Sequence, residues 1–156
     1  AKHGQDVFRS AVGEINVVEE MKRVGAAIGG EGNGGVILPD LHYGRDALVG
    51  VALILQHLAD SGSTLSELVA SMPDLKIVKM KTDIGDLDPD ALLARMAKAY
   101  QGERTSTIDG VKIDLDEGWV HMRKSNTEPI IRVYAEAETD AAAKTLGERF
   151  MAELLG

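Results

Sequence analysis

Proline at position 73 separates two stretches of this 156-residue chain whose apolar residues follow different patterns. A proline cannot continue the helix that precedes it, because it lacks the backbone N–H and its ring clashes with the previous turn. The stretch before Pro73 contains 11 of the 17 glycines and apolar residues at helical spacing. The stretch after it is dominated by alternating strand patterns. This break predicts two domains, residues 1–72 and residues 73–156.

The first stretch is predicted to form part of an α/β domain. Apolar spacing and strand-forming runs indicate two helices, at residues 13–24 and 46–59, and two short strands, at residues 6–9 and 36–38. The second helix is apolar on nearly every side, which predicts that it is buried between neighbours. Thr64 and Glu67 have the spacing of a capping box and predict one more short helix.

The second stretch is predicted to form an α+β domain, with an antiparallel four-stranded sheet covered by two helices. Asp109-Gly110 lies between two strand-forming runs and is a strong signal for a β-hairpin. Asp88-Pro89 has the pattern of an N-cap followed by proline at the first helical position. Asp140 is expected to cap the last helix, whose inward face carries Ala143, Leu146, Phe150 and Leu154.

Charge and composition exclude several classes of protein. The formal net charge of −8 argues against a general nucleic-acid binder or a protein that binds an anionic membrane surface. The longest apolar run, near residues 47–55, is far shorter than the ~20 residues of a membrane helix. The chain has no cysteine, its four histidines lack metal-ligand spacing, and its first residues lack the apolar core of a signal peptide. We therefore expect a cytoplasmic protein.

A polar segment at residues 123–129, with Arg132 just beyond it, is a candidate anion site. Arginine presents a planar fork that matches phosphate oxygens, and serine and threonine hydroxyls donate hydrogen bonds without bulk. Residues 119–134 contain three basic residues and one acidic residue, a local charge of +2 in an acidic chain. The alternative is an ordinary hairpin turn, because serine, asparagine and threonine are common in turns.

A glycine-rich segment at residues 29–35 is the second candidate site. Five of its seven residues are glycine, so that only Glu31 and Asn33 carry functional groups. A carboxylate and an amide suit sugar hydroxyls, since one accepts hydrogen bonds and the other both donates and accepts. The spacing matches neither a dinucleotide-binding fingerprint nor a P-loop. The alternative is a plain β-turn between Ile28 and Val36.

Four motifs occur in an order and spacing that is similar to one known family: Val-Phe-Arg-Ser-Ala-Val-Gly at 7–13, Gly-Glu-Gly-Asn-Gly-Gly at 30–35, Gly-Arg-Asp at 44–46 and Arg-Lys-Ser-Asn-Thr-Glu-Pro at 123–129. They resemble the α-D-phosphohexomutases, which include phosphoglucomutase, phosphomannomutase and phosphoglucosamine mutase. The resemblance covers essentially the whole chain. It implies the end of the family's third domain followed by its fourth, and hence a C-terminal fragment whose N-terminal domains belong to the same polypeptide.

The resemblance also implies an activity. Members of the family are intramolecular phosphotransferases of the isomerase class, which interconvert hexose 1-phosphate and hexose 6-phosphate through a phosphoserine and a bisphosphorylated intermediate. Glu31 and Asn33 would bind the sugar. The phosphate that is not transferred would be held by five residues of the fourth domain: Arg123, Ser125, Asn126, Thr127 and Arg132.

Departures from the family pattern limit what this chain can do alone. It contains neither the Ser-His-Asn-Pro stretch of the catalytic serine loop nor the Asp-x-Asp-x-Asp run of the Mg²⁺ loop, so we expect no catalytic residue and no metal ligand here. Glu14 and Gly35 stand where several members have histidine. We expect weak phosphosugar binding without turnover, with glucosamine or mannose phosphate favoured. The alternative is a stand-alone sugar-phosphate binding or regulatory module.

Overall fold

A computed structural model describes residue 4, residues 6–125 and residues 127–156. The chain divides into two compact units, Ala1–Pro73 and Asp74–Gly156. The predicted fold class, α/β followed by α+β, is confirmed. None of the described helices combines the length and the apolarity that crossing a bilayer requires.

The first unit contains three helices and one short hairpin in its described part: α1 (Glu14–Val24), β1 (Gly29–Gly30), β2 (Val36–Ile37), α2 (Ala47–Ser61) and α3 (Leu65–Ala70). β1 and β2 pair in antiparallel register, with Gly29 opposite Ile37. The strand predicted at residues 6–9 is absent. Val7 is 86% exposed there, so no buried face supports an extended segment.

Local side-chain contacts fix where the helices of this unit begin. The carboxylate of Asp46 accepts hydrogen bonds from the backbone N–H groups of Leu48 and Val49, which would otherwise lack partners in the first turn of α2. Thr64 and Glu67 form the predicted capping box at α3, each side chain accepting from the backbone of the other. Both contacts are set by residues within three positions of each other.

The prediction that α2 is buried between neighbours is wrong for this structure. None of its residues is buried, and Leu48 is 80% exposed. Its principal neighbour in the unit is β2. The described residues of the unit leave the other sides of the helix uncovered. An apolar sequence shows that a helix prefers to be buried, but it does not show which elements cover it.

The second unit is a five-stranded antiparallel sheet with two helices: β3 (Lys76–Asp83), α4 (Pro89–Ala99), β4 (Arg104–Ser106), β5 (Val111–Leu115), β6 (Gly118–Lys124), β7 (Ile130–Ala137) and α5 (Asp140–Leu155). The strand order is β3-β7-β6-β5-β4. Four strands were expected. The fifth arises because the three residues of β4 pair with β5 and form the edge of the sheet.

Both helices of this unit pack on the same face of the sheet. Side chains of β5, β6 and β7 alternate, and every second one is buried against α4 and α5. The largest fully buried side chains of the resulting core are Phe150, Ile113, Met122, Ile131 and Leu154. All four residues predicted to face inward from α5 are buried. Thr139 caps this helix instead of Asp140, which lies in the first turn.

The ends of α4 and α5 are held together by polar contacts. The Arg95 guanidinium donates to the last carbonyl groups of α5, those of Glu153 (3.0 Å) and Leu154 (2.7 Å). The Tyr100 hydroxyl donates to the Glu153 carboxylate at 2.5 Å. Burial, together with this carboxylate, raises the pKa of Tyr100 to about 12. The tyrosine therefore stays a neutral donor at ordinary pH.

We predict that Gly118→Ala destabilises the second unit by at least about 2 kcal/mol, the sum of backbone strain and overpacking. Gly118 has a φ of 152°, and a Cβ there would lie 2.0 Å from the Glu136 carbonyl oxygen. Urea unfolding followed by the fluorescence of Trp119, the single tryptophan, measures this unit alone. Gly102→Ala is the control, because a Cβ at Gly102 meets open space. Equal stability of the two variants would refute the role of Gly118.

Candidate functional site

The candidate anion segment is the connection between β6 and β7. The Ser125 N–H donates to the Ile130 carbonyl (3.0 Å), and the Ile130 N–H donates to the Glu128 carbonyl (2.8 Å). The Pro129 carbonyl accepts from the N–H of Ile84, just after β3 (3.2 Å). The segment is thus tied to both the strands it joins and to the end of a third. Asn126, predicted as a phosphate ligand, lies outside the described residues.

The two predicted hydroxyl donors lie side by side on this turn. The N–H of Thr127 points at the Ser125 hydroxyl oxygen at 3.4 Å, and the two hydroxyl oxygens are 3.5 Å apart. Both contacts are long and solvent-exposed, so they are weak. The hydroxyl groups can therefore turn toward a ligand at small cost.

The two predicted arginines are directly opposite each other on neighbouring strands, Arg123 on β6 and Arg132 on β7. Side chains paired in this way lie on the same face with Cβ atoms about 5 Å apart, and like charges so placed destabilise the sheet. Arg132 has the Glu128 carboxylate 3.7 Å away. The Nε of Arg123 is buried and has no hydrogen-bond partner among the described residues. A buried donor without a partner costs about 1–3 kcal/mol, so an anion between these arginines would relieve both penalties.

Lys124 does not contribute to this site, although the sequence places it inside the basic segment. Its ammonium donates to both carboxylate oxygens of Asp90, in the first turn of α4, at 2.7 and 2.8 Å. The positive charge beside the turn therefore comes from the two arginines.

The glycine-rich segment is the tight turn between β1 and β2. The Gly34 N–H donates to the Glu31 carbonyl (3.0 Å), and the Glu31 N–H donates to the Gly35 carbonyl (3.1 Å). The Asn33 side-chain oxygen accepts from the Gly35 N–H at 3.2 Å. The Glu31 carboxylate accepts from the N–H of Gly13 at 3.1 Å, which joins the turn to the start of α1.

Arg45 links this turn to two acidic side chains. Its Nε donates to Glu14 at 2.8 Å, its backbone N–H donates to the other Glu14 oxygen at 3.1 Å, and its guanidinium lies 3.5 Å from Glu31. The hydrogen bond from the Arg45 backbone, reinforced by its guanidinium, lowers the pKa of Glu14. A Cβ at Gly35 would lie 2.4 Å from Arg45 Cδ, so a larger residue there would displace the Arg45 side chain from this network. The segment is therefore fixed by charged contacts despite its glycines.

A shallow depression in the first unit lies beside this network and is lined by Glu14, Asn33, Gly34, Gly35, Arg45, Asp46 and Ala47. Of the two predicted sugar ligands, Asn33 lines it. Glu31 does not, and its side chain is only 14% exposed. From the sequence, Arg45 and Asp46 are interpreted as a helix start and as part of the Gly-Arg-Asp motif, but not as site residues. No spacing rule could have joined Arg45 to Glu14, because 31 positions separate them.

The described residues include no group of three or more histidine, aspartate or glutamate side chains arranged to hold a metal ion. Both ring nitrogens of His42 already have partners within the protein. One accepts a hydrogen bond from the Gly44 N–H at 3.0 Å, and the other lies 3.2 Å from the Asp46 carboxylate. The latter therefore carries the proton and donates it to Asp46. The hydrogen bond from the Val49 N–H and that from His42 lower the pKa of Asp46. Both side chains serve to hold the start of α2.

Two family models together match almost the whole chain. Residues 1–75 match phosphoglucomutase/phosphomannomutase, alpha/beta/alpha domain III, and residues 75–153 match the phosphoglucomutase/phosphomannomutase C-terminal domain. A crystal structure of a phosphoglucomutase/phosphomannomutase family protein from Burkholderia thailandensis aligns with a TM-score of 0.78 at 27% identity, over 98% of this chain and 33% of that one.

Curated relatives give the same result. A probable phosphoglucosamine mutase of Methanopyrus kandleri is 36% identical over 152 residues, which is 95% of this chain and 33% of that protein. A phosphoglucomutase/phosphomannomutase of Thermococcus kodakarensis is 38% identical over 159 residues, covering 99% of this chain and 35% of that protein. The chain thus spans about a third of the length of these relatives.

We predict that Arg45→Met raises the pKa of Glu14 partway toward its ordinary value of 4.5, since the guanidinium is lost while the backbone hydrogen bond can remain. A carboxyl group whose pKa is lower in the folded state stabilises the protein at pH values above its pKa in the unfolded state. This stabilisation is lost as the pH falls through the pKa of the folded state. The variant should therefore lose less of the first unit's stability on acidification. Carboxyl-carbon NMR titration measures the change.

The matched control for this prediction is Arg23→Met on α1. Arg23 pairs with Glu20 through two hydrogen bonds, at 2.7 and 2.8 Å, and lowers the pKa of that carboxyl. The control should raise the pKa of Glu20 and leave that of Glu14 unchanged. An unchanged Glu14 pKa in Arg45→Met would contradict the network.

Proposed function

Because the chain belongs to the phosphoglucomutase/phosphomannomutase family, we propose that it supplies the third-domain and C-terminal-domain parts of a phosphohexomutase. The substrate is a hexose phosphate whose phosphoryl group moves between positions 1 and 6. Within this class we favour glucosamine or mannose phosphate. The relatives named probable phosphoglucosamine mutase and phosphoglucomutase/phosphomannomutase are compatible with this choice, and equally with glucose phosphate.

The second unit holds the phosphate group that is not being transferred. The observation that supports this role best is the pair Arg123 and Arg132, directly opposite on β6 and β7, with the buried Arg123 Nε still without a partner among the described residues. Ser125 and Thr127 add two hydroxyl donors at the end of the same strands. Charge-assisted bonds from arginine to phosphate are the strong class of hydrogen bond, and bidentate ones also fix orientation. Asn126 belongs to the same motif and is proposed as a further ligand.

The first unit binds the sugar through its glycine turn. Asn33 lines the depression and can both donate to and accept from hydroxyl groups. Glu31 is held by Gly13 and Arg45, yet a carboxylate offers about four acceptor positions, so that it can accept from a hydroxyl while keeping both contacts. The two side chains would thereby orient the ring without reacting with it.

The contribution of this chain to catalysis is positioning and neutralisation of charge. Holding the distal phosphate and the ring in one orientation lowers the entropic barrier to phosphoryl transfer at the other end of the sugar. A phosphoserine and a Mg²⁺ ion would supply the transfer chemistry in the complete enzyme. The described residues include no cluster that fits a Mg²⁺ ion, and the chain has no Ser-His-Asn-Pro stretch, so both groups would be provided by other parts of the enzyme.

We predict that Arg123→Gln weakens binding of glucosamine 6-phosphate to the chain by about 10- to 100-fold, because a charge-assisted hydrogen bond is worth about 1.5–3 kcal/mol. Isothermal titration calorimetry measures the dissociation constants. Arg149→Gln is the control: Arg149 pairs with Glu117 at 3.1 Å, and its loss removes the same charge from α5. Unchanged affinity in Arg123→Gln would contradict the proposed phosphate site.

The purified chain also tests whether phosphoryl transfer requires residues outside it. We expect no conversion of hexose 1-phosphate to hexose 6-phosphate by the 156-residue chain in a coupled assay, with or without added Mg²⁺. Measurable turnover would show that residues of this chain perform the transfer themselves.

A further inference from the structure

A row of three positively charged residues crosses the sheet of the second unit on three adjacent strands. Lys81 on β3 is directly opposite Arg132 on β7, and Arg132 is directly opposite Arg123 on β6. Opposite residues of an antiparallel pair project from the same face, and neighbouring strands lie about 4.8 Å apart. We call these three residues the cation row.

The cation row lies on the face of the sheet that carries no helix in the described structure. Its neighbours along the strands, Met80, Met122 and Val133, point the other way and pack into or against the core. Lys81 is exposed and the Arg132 side chain is 37% exposed, so the row is open to solvent at these two residues, while Arg123 is half-buried with its Nε covered.

Three like charges side by side oppose folding of the sheet unless a counter-charge is present. The described residues supply little of it: Glu128 lies 3.7 Å from Arg132, while neither Lys81 nor the Arg123 Nε has a partner among the residues that the structure describes. The other lysines of β3 differ in this respect. Lys76 pairs with Asp74 at 2.5 Å, and Lys79 lies 5.9 Å from the centre of the Tyr134 ring.

We propose that Lys81 is a third cation of the phosphate site and contacts the phosphate of the bound sugar from the β3 side. This inference rests on the proposed function of Arg123 and Arg132. A phosphate monoester carries close to two negative charges and three terminal oxygens, enough for one contact from each member of the row. Lysine acts here as a point charge, which tolerates the longer reach from an outer strand.

Lys79 offers a matched control for this assignment. It is two residues from Lys81 on the same strand and the same face, about 6.6 Å farther along. Removing either charge weakens the overall positive field of the face to a similar degree. Only Lys81 is in register with the two arginines. If Lys81 contacts the phosphate, removing its charge weakens phosphate binding more than removing that of Lys79. If only the general positive field matters, both changes weaken binding equally.

The test measures the affinity of the 156-residue chain for glucose 6-phosphate and for inorganic phosphate at low salt, in wild type, Lys81→Gln, Lys79→Gln and Lys81→Arg. We expect Lys81→Gln to weaken binding of both probes about tenfold and Lys79→Gln less than about twofold, with Lys81→Arg close to wild type. Without ligand, Lys81→Gln should unfold at the same or a slightly higher temperature, because repulsion within the row is reduced.

The outcomes separate this inference from the function on which it rests. If Arg123→Gln weakens binding and Lys81→Gln does not, the phosphate site stands and the role of Lys81 is refuted. Equal weakening by Lys81→Gln and Lys79→Gln also refutes it, since a general field then explains both. If wild type binds neither probe, the phosphate site and the inference fall together. Lys81→Met serves in place of Lys81→Gln if the latter fails to fold by Trp119 fluorescence.

Discussion

The antiparallel register of β6 with β7 is the constraint on which the proposed phosphate site depends. In this register Met122 is opposite Val133 inside the core, and Arg123 is opposite Arg132 on the other face. A shift of one residue would turn one strand over relative to the other and place one of the two arginines on the core face, where an unpaired charge is very costly. The hydrophobic core therefore holds the two guanidinium groups together in spite of their repulsion. The free energy of folding thus maintains a pair of like charges that the proposed bound phosphate would neutralise.

The first unit positions its candidate sugar-binding residues, Glu31 and Asn33, by a different means. Its described part has a hairpin of only four strand residues, and no larger sheet fixes the positions of these side chains. Charged contacts hold these side chains in place. Arg45 contacts both Glu14 and Glu31, and the Glu31 carboxylate accepts a hydrogen bond from the backbone N–H of Gly13. A turn rich in glycine is thereby fixed, and the glycines permit the close approach of Arg45 rather than free motion. Salt and acid should affect this unit before they affect the core of the second one.

Sequence reasoning succeeded where the determining contacts are local. The capping box of Thr64 and Glu67, the N-cap at Asp88 and the inward face of α5 depend on residues a few positions apart. It failed where the outcome depends on distant partners. The exposure of α2 depends on which elements pack against it. Glu14 and Arg45 form an ion pair although 31 positions separate them. Lys124 donates a hydrogen bond to Asp90, which lies on another element. Lys81 is the clearest case, because only the pairing of β3 with β7 places it beside Arg132.

The most direct test of the phosphate site is the ¹H–¹⁵N NMR signal of the Arg123 Nε–H during a titration with glucose 6-phosphate. This donor is buried and has no partner among the described residues, so a phosphate oxygen bound between the arginines should shift its proton downfield. The shift should saturate and be accompanied by slower exchange with water, while the Nε–H of Arg149, on α5, should not change. An Arg123 signal that stays unchanged at millimolar ligand would contradict the claim that this arginine pair binds the phosphate.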